Sequence, residues 1–481
     1  NSGFEFHLER LLISLAPAGV RKAGASFDLA MALAVLVASG QIPEAGFHVV
    51  ALGELELSGR VRPVSGVLSA VAAGLRAGVR HFIVPRENLG EARALAGDAA
   101  LAVDTLSDSV LLFAALRGIA PSVAFGPRSS DDGPSRQVDM PVKDAEWGDL
   151  SDIRGQPMLR RAMEISAAGG HHLLLFGPPG AGKTMAARRL AGLLPDLDDD
   201  DALIVTTLHS LAGILPQLTG LMRKPPLRAP HHGASAEGIV GGGKSRKPGE
   251  ISLAHGGVLL LDEAPEFRAD VLQSLREPIE EGNVTIARAD RTFSYPSRFT
   301  LVLSCNPCPC GNLGRRGAVC LCSPDEIRRY WKRLGGPLLD RIDIRVPVKP
   351  AGPAELASGP GESTATVKAR VATARQTQAH RFEGLPYKLN GRLPASAIDL
   401  FCVLDDGCRG AFVERAEREC FSSRACHSTL RIARTIADLD GSSTIDCRHI
   451  EEAFSLRKYG DDDIFWRSEE RRVGKECRSR W

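Results

Sequence analysis

A glycine-rich loop between a strand pattern and a helix pattern carries the clearest chemical signal. The segment HHLLLFGPPGAGKTMAARRLAGLL spans 171–194, and its apolar run ends immediately before the loop. Such a loop turns backbone N–H groups inward around phosphates, and the following helix contributes its dipole. Lys183 would reach the β- and γ-phosphates, and Thr184 would offer its hydroxyl to Mg²⁺. The predicted ATP-binding residues are Gly177, Pro178, Pro179, Gly180, Ala181, Gly182, Lys183, Thr184 and Met185.

Polar residues at the ends of two further apolar runs complete this chemistry. The run GGVLLLDE ends in Asp262 and Glu263, and the run FTLVLSC is followed by Asn306. Asp262 can hold Mg²⁺ through water, and Glu263 can orient and polarise the attacking water. The alternative, an acidic pair on the surface, is weaker because a phosphate loop requires such a partner. We therefore predict an ATPase whose catalytic residues include Lys183, Asp262, Glu263 and the γ-phosphate sensor Asn306, with Mg²⁺ at Thr184 and Asp262.

An α/β core would position the ends of these apolar runs, with the strand that precedes Asn306 between the other two. The preceding region also alternates short apolar runs with Ala-rich helical stretches, whereas the following region repeats Ala, Arg and Glu at helical spacing. The predicted organisation is an N-terminal α/β domain (1–120), a linker (121–147), an α/β P-loop core (148–350), a second linker (351–364), an α-helical lid (365–458) and a tail (459–481).

Composition limits the class of protein. The chain has 481 residues, 43% of them hydrophobic, and a formal net charge of +2, which gives no argument for nucleic acid. No run approaches the ~18 apolar residues of a membrane helix, and no secretory leader is recognisable. We expect a cytoplasmic protein with reduced thiols, no membrane partner and a missing N-terminal segment. The tail is expected to be either a solvated extension or a remnant that is not native.

Five of the eleven cysteines lie between 305 and 322, in the stretch CNPCPCGNLGRRGAVCLC. Two C-x-C pairs could close a tetrahedral Zn²⁺ site, although their spacing is tighter than the usual C-x₂₋₄-C. The alternatives are four reduced thiols in a loop and a disulfide knot, and the expected compartment disfavours the knot. The candidate structural Zn²⁺ ligands are Cys308, Cys310, Cys320 and Cys322.

Five features together resemble the magnesium-chelatase-like AAA+ ATPases of the ComM/YifB kind. They are the phosphate loop at 177–184, the acidic strand at 258–263, Asn306, GPLLDRID at 336–343 and SSRACHSTLRIARTIADL at 422–439. The resemblance implies an AAA+ core with a helical lid, a hexameric ring, and branch migration or helicase activity on branched or single-stranded DNA. It also implies a role in natural transformation and homologous recombination.

The same resemblance assigns roles to two arginines. Arg341 would be the finger that reaches the γ-phosphate of the neighbouring subunit, and Arg424 would be the sensor-2 arginine, with Arg431 as the competing choice. A fixed guanidinium suits transition-state phosphate oxygens, and its supply by a neighbour couples hydrolysis to assembly. Alternatively, Arg341 is a structural partner of Asp340 or Asp343.

Two insertions could contact DNA in such a ring. The Gly-rich stretch after the first ATPase helices is predicted to be a loop rather than a core element, and EEGNVTIARADRTFSYPSRF is predicted to form a hairpin. The candidate phosphate contacts are Arg288, Arg291, Lys244, Arg246 and Lys247. Ordinary solvated charge is the alternative.

The N-terminal segment resembles the proteolytic domain of Lon proteases, truncated at its start. Ser26 in RKAGASFDLAMALAVL matches the position of that family's nucleophile, but Ala70 stands where its general-base Lys belongs. A serine without an adjacent base is a poor nucleophile, so we expect an inactive assembly platform rather than an ATP-dependent protease. The remaining alternative function is the ATPase subunit of a magnesium-chelatase-type complex that remodels a partner protein.

Overall fold

The computed structural model describes residues 3–4, 11–15, 25–44, 46–116, 147–215, 220–243, 247–287, 292–315, 317–357 and 359–457. Its strands are β1 (Val49–Ala51), β2 (Glu54–Leu55), β3 (Val61–Arg62), β4 (His81–Pro85), β5 (Ala100–Val103), β6 (Leu173–Phe176), β7 (Leu227–Arg228), β8 (Gly241–Gly242), β9 (Lys247–Pro248), β10 (Val258–Leu261), β11 (Asn283–Ala287), β12 (Thr292–Pro296), β13 (Thr300–Cys305) and β14 (Ile344–Pro347).

The α-helices are α1 (Asp28–Ala38), α2 (Val67–Arg76), α3 (Leu89–Ala96), α4 (Leu106–Leu116), α5 (Pro157–Gly169), α6 (Lys183–Leu193), α7 (Asp199–Ala212), α8 (Ala236–Val240), α9 (Glu250–Leu253), α10 (Ala269–Ser274), α11 (Arg276–Glu281), α12 (Pro324–Lys332), α13 (Gly336–Leu339), α14 (Pro353–Ala357), α15 (Thr364–Arg381), α16 (Ala395–Phe401), α17 (Asp406–Arg418), α18 (Ser423–Leu439) and α19 (Cys447–Ser455). Within the described residues, no helix combines the length and the apolar character needed to cross a membrane.

The first compact unit comprises Asn1–Pro141 together with Asp198–Arg223. Its sheet is parallel, in the order β1-β4-β5, and helices lie between these strands in the chain, in agreement with the predicted α/β pattern. Helix α7 belongs to this unit although sequence continuity assigned it to the ATPase core. The reason is a buried carboxylate: Glu91 accepts hydrogen bonds from the Leu68 amide at 2.8 Å and from the Ser210 hydroxyl of α7.

The positions compared with Lon proteases lie in separate elements of this unit, a turn and a helix. Ser26 precedes α1, and Ala70 is half-buried within α2. The inactive Lon-like assignment, including the match of Ala70 to the general-base position, stays a prediction.

The second unit comprises Val142–Leu197 and Lys224–Trp481, and a five-stranded parallel sheet forms its centre. The strand order is β14-β6-β13-β10-β7, so β13 lies between the strand of the phosphate loop and the strand of the acidic pair. All residues of β10 and β13 are buried, because helices cover both faces of a parallel sheet. The carboxyl ends of β6, β10 and β13 consequently meet at one edge, with the strand that precedes Asn306 in the middle, as predicted.

The C-terminal helices complete the same hydrophobic core. Val371 of α15 and Ile432 of α18 are fully buried in one cluster with Leu173 of β6 and Val346 of β14. Helix α18 begins at a Ser422 cap, whose hydroxyl accepts a hydrogen bond from the Ala425 amide. The predicted mixed α/β core with a helical C-terminal region is confirmed.

The Gly-rich insertion is more ordered than the sequence predicted. Ile239 of α8 and Ile251 of α9 are fully buried and pack in the cluster that contains Leu259 of β10, so the prediction of a loop without core residues was wrong. Glycine at position 249 allows two backbone segments to lie close together, because a Cβ there would lie 2.3 Å from the Gly241 nitrogen. The predicted hairpin is confirmed as the antiparallel pair β11 and β12.

One cysteine pair departs from the expectation of reduced thiols. Cys408 of α17 and Cys447 of α19 form a disulfide with a Cα–Cα separation of 5.2 Å. The two residues are 39 positions apart, and no spacing rule connects them. Sequence reasoning therefore had no signal for this pair.

Candidate active site

The phosphate loop is shaped by steric limits at its two ends. At Gly177, a Cβ would lie 2.0 Å from the Val348 carbonyl oxygen, and the Gly177 amide donates to the Cys305 carbonyl at 3.2 Å. Gly182 has φ 91° and caps the N-terminus of α6, a conformation that glycine adopts without strain. The loop thus connects β6 directly to the N-terminus of α6, an arrangement that binds anions. Pro178, Pro179, Gly180 and Ala181 form the loop, and Lys183, Thr184 and Met185 open the helix.

Lys183 points back into the loop. Its ammonium donates to the carbonyl oxygens of Gly177 at 2.6 Å and Pro178 at 3.0 Å, and to Asn306 Oδ1 at 3.1 Å. Burial lowers the pKa of the Lys183 ammonium, and the charges of Asp262 and Glu263 oppose this shift. The predicted sensor and the predicted phosphate-binding lysine are therefore direct neighbours.

The predicted Mg²⁺ residues also meet. Thr184 Oγ1 donates to Asp262 Oδ2 at 2.8 Å, and the other carboxylate oxygen accepts from the hydroxyl of Ser304, which is fully buried in β13. A hydroxyl and a carboxylate are hard oxygen donors of the kind that Mg²⁺ prefers, usually with several retained waters and substrate phosphates. The residues present therefore fit a Mg²⁺–nucleotide complex at this edge of the sheet.

Glu263 has a left-handed backbone, with φ 52° and ψ 46°, immediately after β10. Its amide is held by Asp262 Oδ1 at 3.2 Å and Ser304 Oγ at 3.3 Å. Non-glycine residues in this region are uncommon and persist where surrounding contacts fix them, often at functional sites. Ser304 thus orients both acidic residues, a role that the sequence did not single out.

Two further residues escaped the sequence analysis because they lie far along the chain from the motif residues they contact. The Asn306 amide donates to the hydroxyl of Tyr330, which lies on α12 and whose pKa is raised by burial. Gln156 lies before α5 with φ 52°, and its side-chain amide donates to the Ala181 carbonyl of the loop at 3.4 Å. Both residues fix the backbone of the site rather than its reactive groups.

The two predicted ring arginines meet at one carboxylate. Glu280 Oε1 lies 2.7 Å from Arg341 Nη2 and 2.5 Å from Arg424 Nη2, and both guanidinium groups lower the pKa of Glu280. Arg341 also donates to the Pro337 carbonyl at 2.6 Å. Its partner is thus Glu280, neither Asp340 nor Asp343 as the alternative proposed.

Arg431, the competing sensor-2 candidate, is half-buried on α18, and burial lowers its pKa. Arg424 is the exposed one of the pair. Among the described residues, the hydrogen bonds and ion pairs of Arg341 and Arg424 go to Glu280, Pro337 and Asp340 rather than to the phosphate loop.

The predicted Zn²⁺ ligands are also brought together. The Sγ atoms of Cys308, Cys310, Cys320 and Cys322 all lie within 4.8 Å of one another. Four of the candidate DNA contacts, Arg288, Arg291, Lys244 and Arg246, lie outside the described residues, whereas Lys247 is exposed at the start of β9.

Comparison with known proteins agrees with the interpretation of this site as an ATPase centre. Three family profiles match the chain: "Magnesium chelatase, subunit ChlI" over 149–356, "Subunit ChlI of Mg-chelatase" over 1–88, and "Magnesium chelatase, subunit ChlI C-terminal" over 361–457. The protein YifB of Escherichia coli is 41% identical over 95% of this chain and 87% of its own length. The competence protein ComM of Haemophilus influenzae is 38% identical over the same shares. The chain belongs to the ComM/YifB family.

Part of this ComM/YifB chain is also similar to a chelatase subunit. The magnesium-chelatase 38 kDa subunit of Rhodobacter capsulatus is 30% identical over 33% of this chain and 50% of its own length. The magnesium-chelatase-like region and the site geometry identify the second unit as an AAA+ ATPase that uses a nucleotide and Mg²⁺. The N-terminal match is to the chelatase-subunit family, so it neither supports nor opposes the likeness to Lon proteases.

Proposed function

We propose that this chain is the subunit of a ring-shaped AAA+ motor, in which neighbouring copies complete each other's sites for ATP hydrolysis. The motor would drive branch migration of DNA during natural transformation and homologous recombination. The observation that carries this proposal is the similarity, over 95% of this chain, to a relative named as a competence protein. The geometry of the candidate ATPase site supports it.

In this proposal each residue of the site has one task. Lys183 and the loop amides bind the β- and γ-phosphates, Thr184 and Asp262 hold the Mg²⁺, and Glu263 orients and polarises the attacking water. Mg²⁺ would neutralise charge that develops on the phosphate oxygens. Because Asn306 contacts Lys183, the sensor would lie close to the same γ-phosphate. The cofactors are therefore ATP and Mg²⁺, with Zn²⁺ proposed for the four cysteines.

The positions of two arginines support the proposal that the chain assembles into a ring, which we take to be a hexamer. Arg341 and Arg424 share Glu280 and bond away from the phosphate loop of their own chain. An arginine placed in this way can serve the γ-phosphate of a neighbouring copy, which makes hydrolysis depend on assembly. Glu280 would hold both guanidinium groups in position until the neighbour's nucleotide replaces it.

DNA is the proposed substrate of the motor, either branched or single-stranded. The hairpin of β11 and β12 is joined by Ser297, Arg298 and Phe299 to β13, the strand that leads to Asn306. A contact between DNA phosphates and the hairpin could thus be transmitted to the sensor through a short covalent path. The candidate contacts at the hairpin turn, Arg288 and Arg291, rest on sequence alone.

The test is ATP hydrolysis with and without a four-way DNA junction, a linear duplex and a single strand. We expect DNA to stimulate phosphate release, and the double substitution Arg288→Ala with Arg291→Ala to weaken binding. Each lost phosphate contact should reduce the slope of log affinity against log salt by about one. Arg448→Ala is the matched control, because this arginine is exposed on α19 and pairs with Asp446. A protein that hydrolyses ATP but neither binds nor responds to any of these DNAs at low salt would contradict the proposal.

The second candidate is the ATPase subunit of a magnesium-chelatase-type complex. It is favoured by the similarity of a third of the chain to the 38 kDa chelatase subunit and by the match of residues 149–356 to the chelatase family. That similarity covers a third of this chain, whereas the similarity to ComM and YifB covers 95% of it. Stimulation by DNA distinguishes the two, since a subunit that acts only on a partner enzyme has no reason to respond to it.

A further inference from the structure

The segment between β13 and α12 lacks the usual means of holding a fixed conformation. Its described residues from 306 to 323 form no helix or strand. Two of its larger apolar side chains face solvent, Val319 at 76% exposure and Leu321 at 89%. A segment that buries so little apolar surface gains little to offset the entropy lost on ordering. Another interaction is needed to fix it next to the active site.

The four cysteines of this segment have the geometry of a tetrahedral metal site. The Sγ atom of Cys308 lies 3.4 Å from that of Cys310 and 3.6 Å from that of Cys320, and the Cys310 and Cys320 Sγ atoms are 3.7 Å apart. Four thiolates about 2.3 Å from one Zn²⁺ ion would be about 3.8 Å from each other. A disulfide would require about 2.05 Å, so these separations match a shared ion rather than a bond between sulfurs.

We propose that Cys308, Cys310, Cys320 and Cys322 bind one Zn²⁺ ion, and that this ion fixes the segment against the nucleotide site. Thiolate ligands favour Zn²⁺ over the hard cations Mg²⁺ and Ca²⁺. Four thiolates fill the tetrahedral coordination of Zn²⁺ and leave no position for water, so the ion is structural. The burial of Cys308 anchors one side of the site in the protein, while Cys310 faces solvent.

The second part of the proposal rests on the proposed ATPase function and follows from two contacts. Asn306, the sensor, is two residues from Cys308. Gly311 follows Cys310 directly, and a Cβ added to it would lie 2.8 Å from Pro179 Cγ of the phosphate loop. Trp331 of α12 also donates its indole N–H to the Pro307 carbonyl at 3.1 Å. The ion therefore fixes a segment that touches both the sensor and the phosphate loop, which makes the cysteines positioning residues.

Zinc content of the full chain tests the site without reference to activity. Protein purified with reductant in zinc-supplemented medium should hold about one Zn²⁺ per chain by elemental analysis. Cys310→Ser should fall below about 0.2 ion per chain after dialysis, because a serine hydroxyl is a poor Zn²⁺ ligand. This position is chosen because Cys310 is exposed, so the substitution removes little packing. Cys420→Ser is the matched control, since Cys420 is an exposed free cysteine outside the cluster.

Replacement of the ion by Co²⁺ provides a second readout on the native chain. A tetrahedral tetrathiolate site should give intense visible d–d absorption with thiolate-to-metal charge transfer, and Cys310→Ser should lose that spectrum. Zinc below about 0.1 ion per chain in folded, reduced protein would overturn the site, as would bound iron instead of zinc.

The coupling to ATP hydrolysis is measured separately. Removal of Zn²⁺ by a chelator, followed by repurification, should lower kcat at saturating MgATP by at least about tenfold, and restoring Zn²⁺ should recover it. Stoichiometric zinc whose removal leaves kcat unchanged would refute the coupling and leave the metal site standing. A zinc-loaded chain without any ATPase activity would instead contradict the proposed function.

Discussion

Ser304→Ala should reduce ATP hydrolysis although Ser304 is not one of the predicted phosphate-binding residues. Its buried hydroxyl donates to Asp262 and accepts from the Glu263 amide, so one oxygen holds the Mg²⁺ carboxylate and the backbone of the general base. The substitution removes only this oxygen and leaves β13 otherwise unchanged.

The magnitude follows from the charge of the partner. A hydrogen bond to a charged group contributes about 1.5–3 kcal/mol. If the positions of Asp262 and Glu263 matter fully in the transition state, this range corresponds to a loss of about 10- to 150-fold in kcat. The affinity for nucleotide without Mg²⁺ should change little, because the contacts of Lys183 with Gly177 and Asn306 do not involve Ser304.

The assay is steady-state phosphate release over a range of MgATP concentrations, with thermal unfolding measured on the same samples. Ser252→Ala is the matched control: Ser252 is fully buried in α9, and its hydroxyl has no hydrogen-bond partner within the described structure. We expect the control to retain wild-type kcat. If folded Ser304→Ala protein hydrolyses ATP within about twofold of wild type, the positioning role of this serine is wrong.

Two further predictions concern stability and assembly. Burial lowers the pKa of His172 to about 3 from 6.5, so the unfolded chain binds this proton first as the pH falls, and stability present above about pH 6.5 is lost below it. The free energy of unfolding, measured by urea denaturation, should thus fall by about 2 kcal/mol between about pH 7.5 and 5 because of His172. The variant His172→Asn keeps an acceptor for the Leu301 amide and should lack this loss. A variant with the same pH profile as wild type would contradict the assignment. For assembly, Arg341→Ala and Lys183→Ala should each hydrolyse ATP poorly, since arginine fingers contribute about 10³–10⁵, and mixed oligomers should recover hydrolysis at interfaces with one intact loop and one intact finger. Mixed oligomers that demonstrably form without any recovery would show that Arg341 does not act between subunits.

Local sequence patterns were sufficient to predict which candidate catalytic residues lie together. The loop around Lys183, the acidic pair at Asp262 and the sensor Asn306 each follow an apolar strand, and a parallel sheet can bring such strand ends together in few ways. The clustering of the four cysteines was likewise predicted from two C-x-C pairs only nine residues apart.

The supporting residues could not be predicted because their roles depend on contacts between distant parts of the chain. Ser304 is one of several small or apolar residues in its strand, and only the pairing of β13 with β10 places its hydroxyl at Asp262. Glu280 meets Arg424 across 144 positions. The buried insertion was missed because its glycines suggested a loop, whereas they permit close backbone packing.

ATP binding and hydrolysis by Glu263→Gln test the central claim most directly, because this substitution keeps the shape of the side chain and removes its ability to polarise water. We predict MgATP binding within about twofold of wild type and phosphate release reduced by at least about 100-fold, since a positioned general base contributes about 10²–10⁴. Thermal unfolding of the variant with and without MgATP provides the control for folding and binding. Near-normal phosphate release by a folded Glu263→Gln chain would contradict the assignment of this site as an ATPase centre.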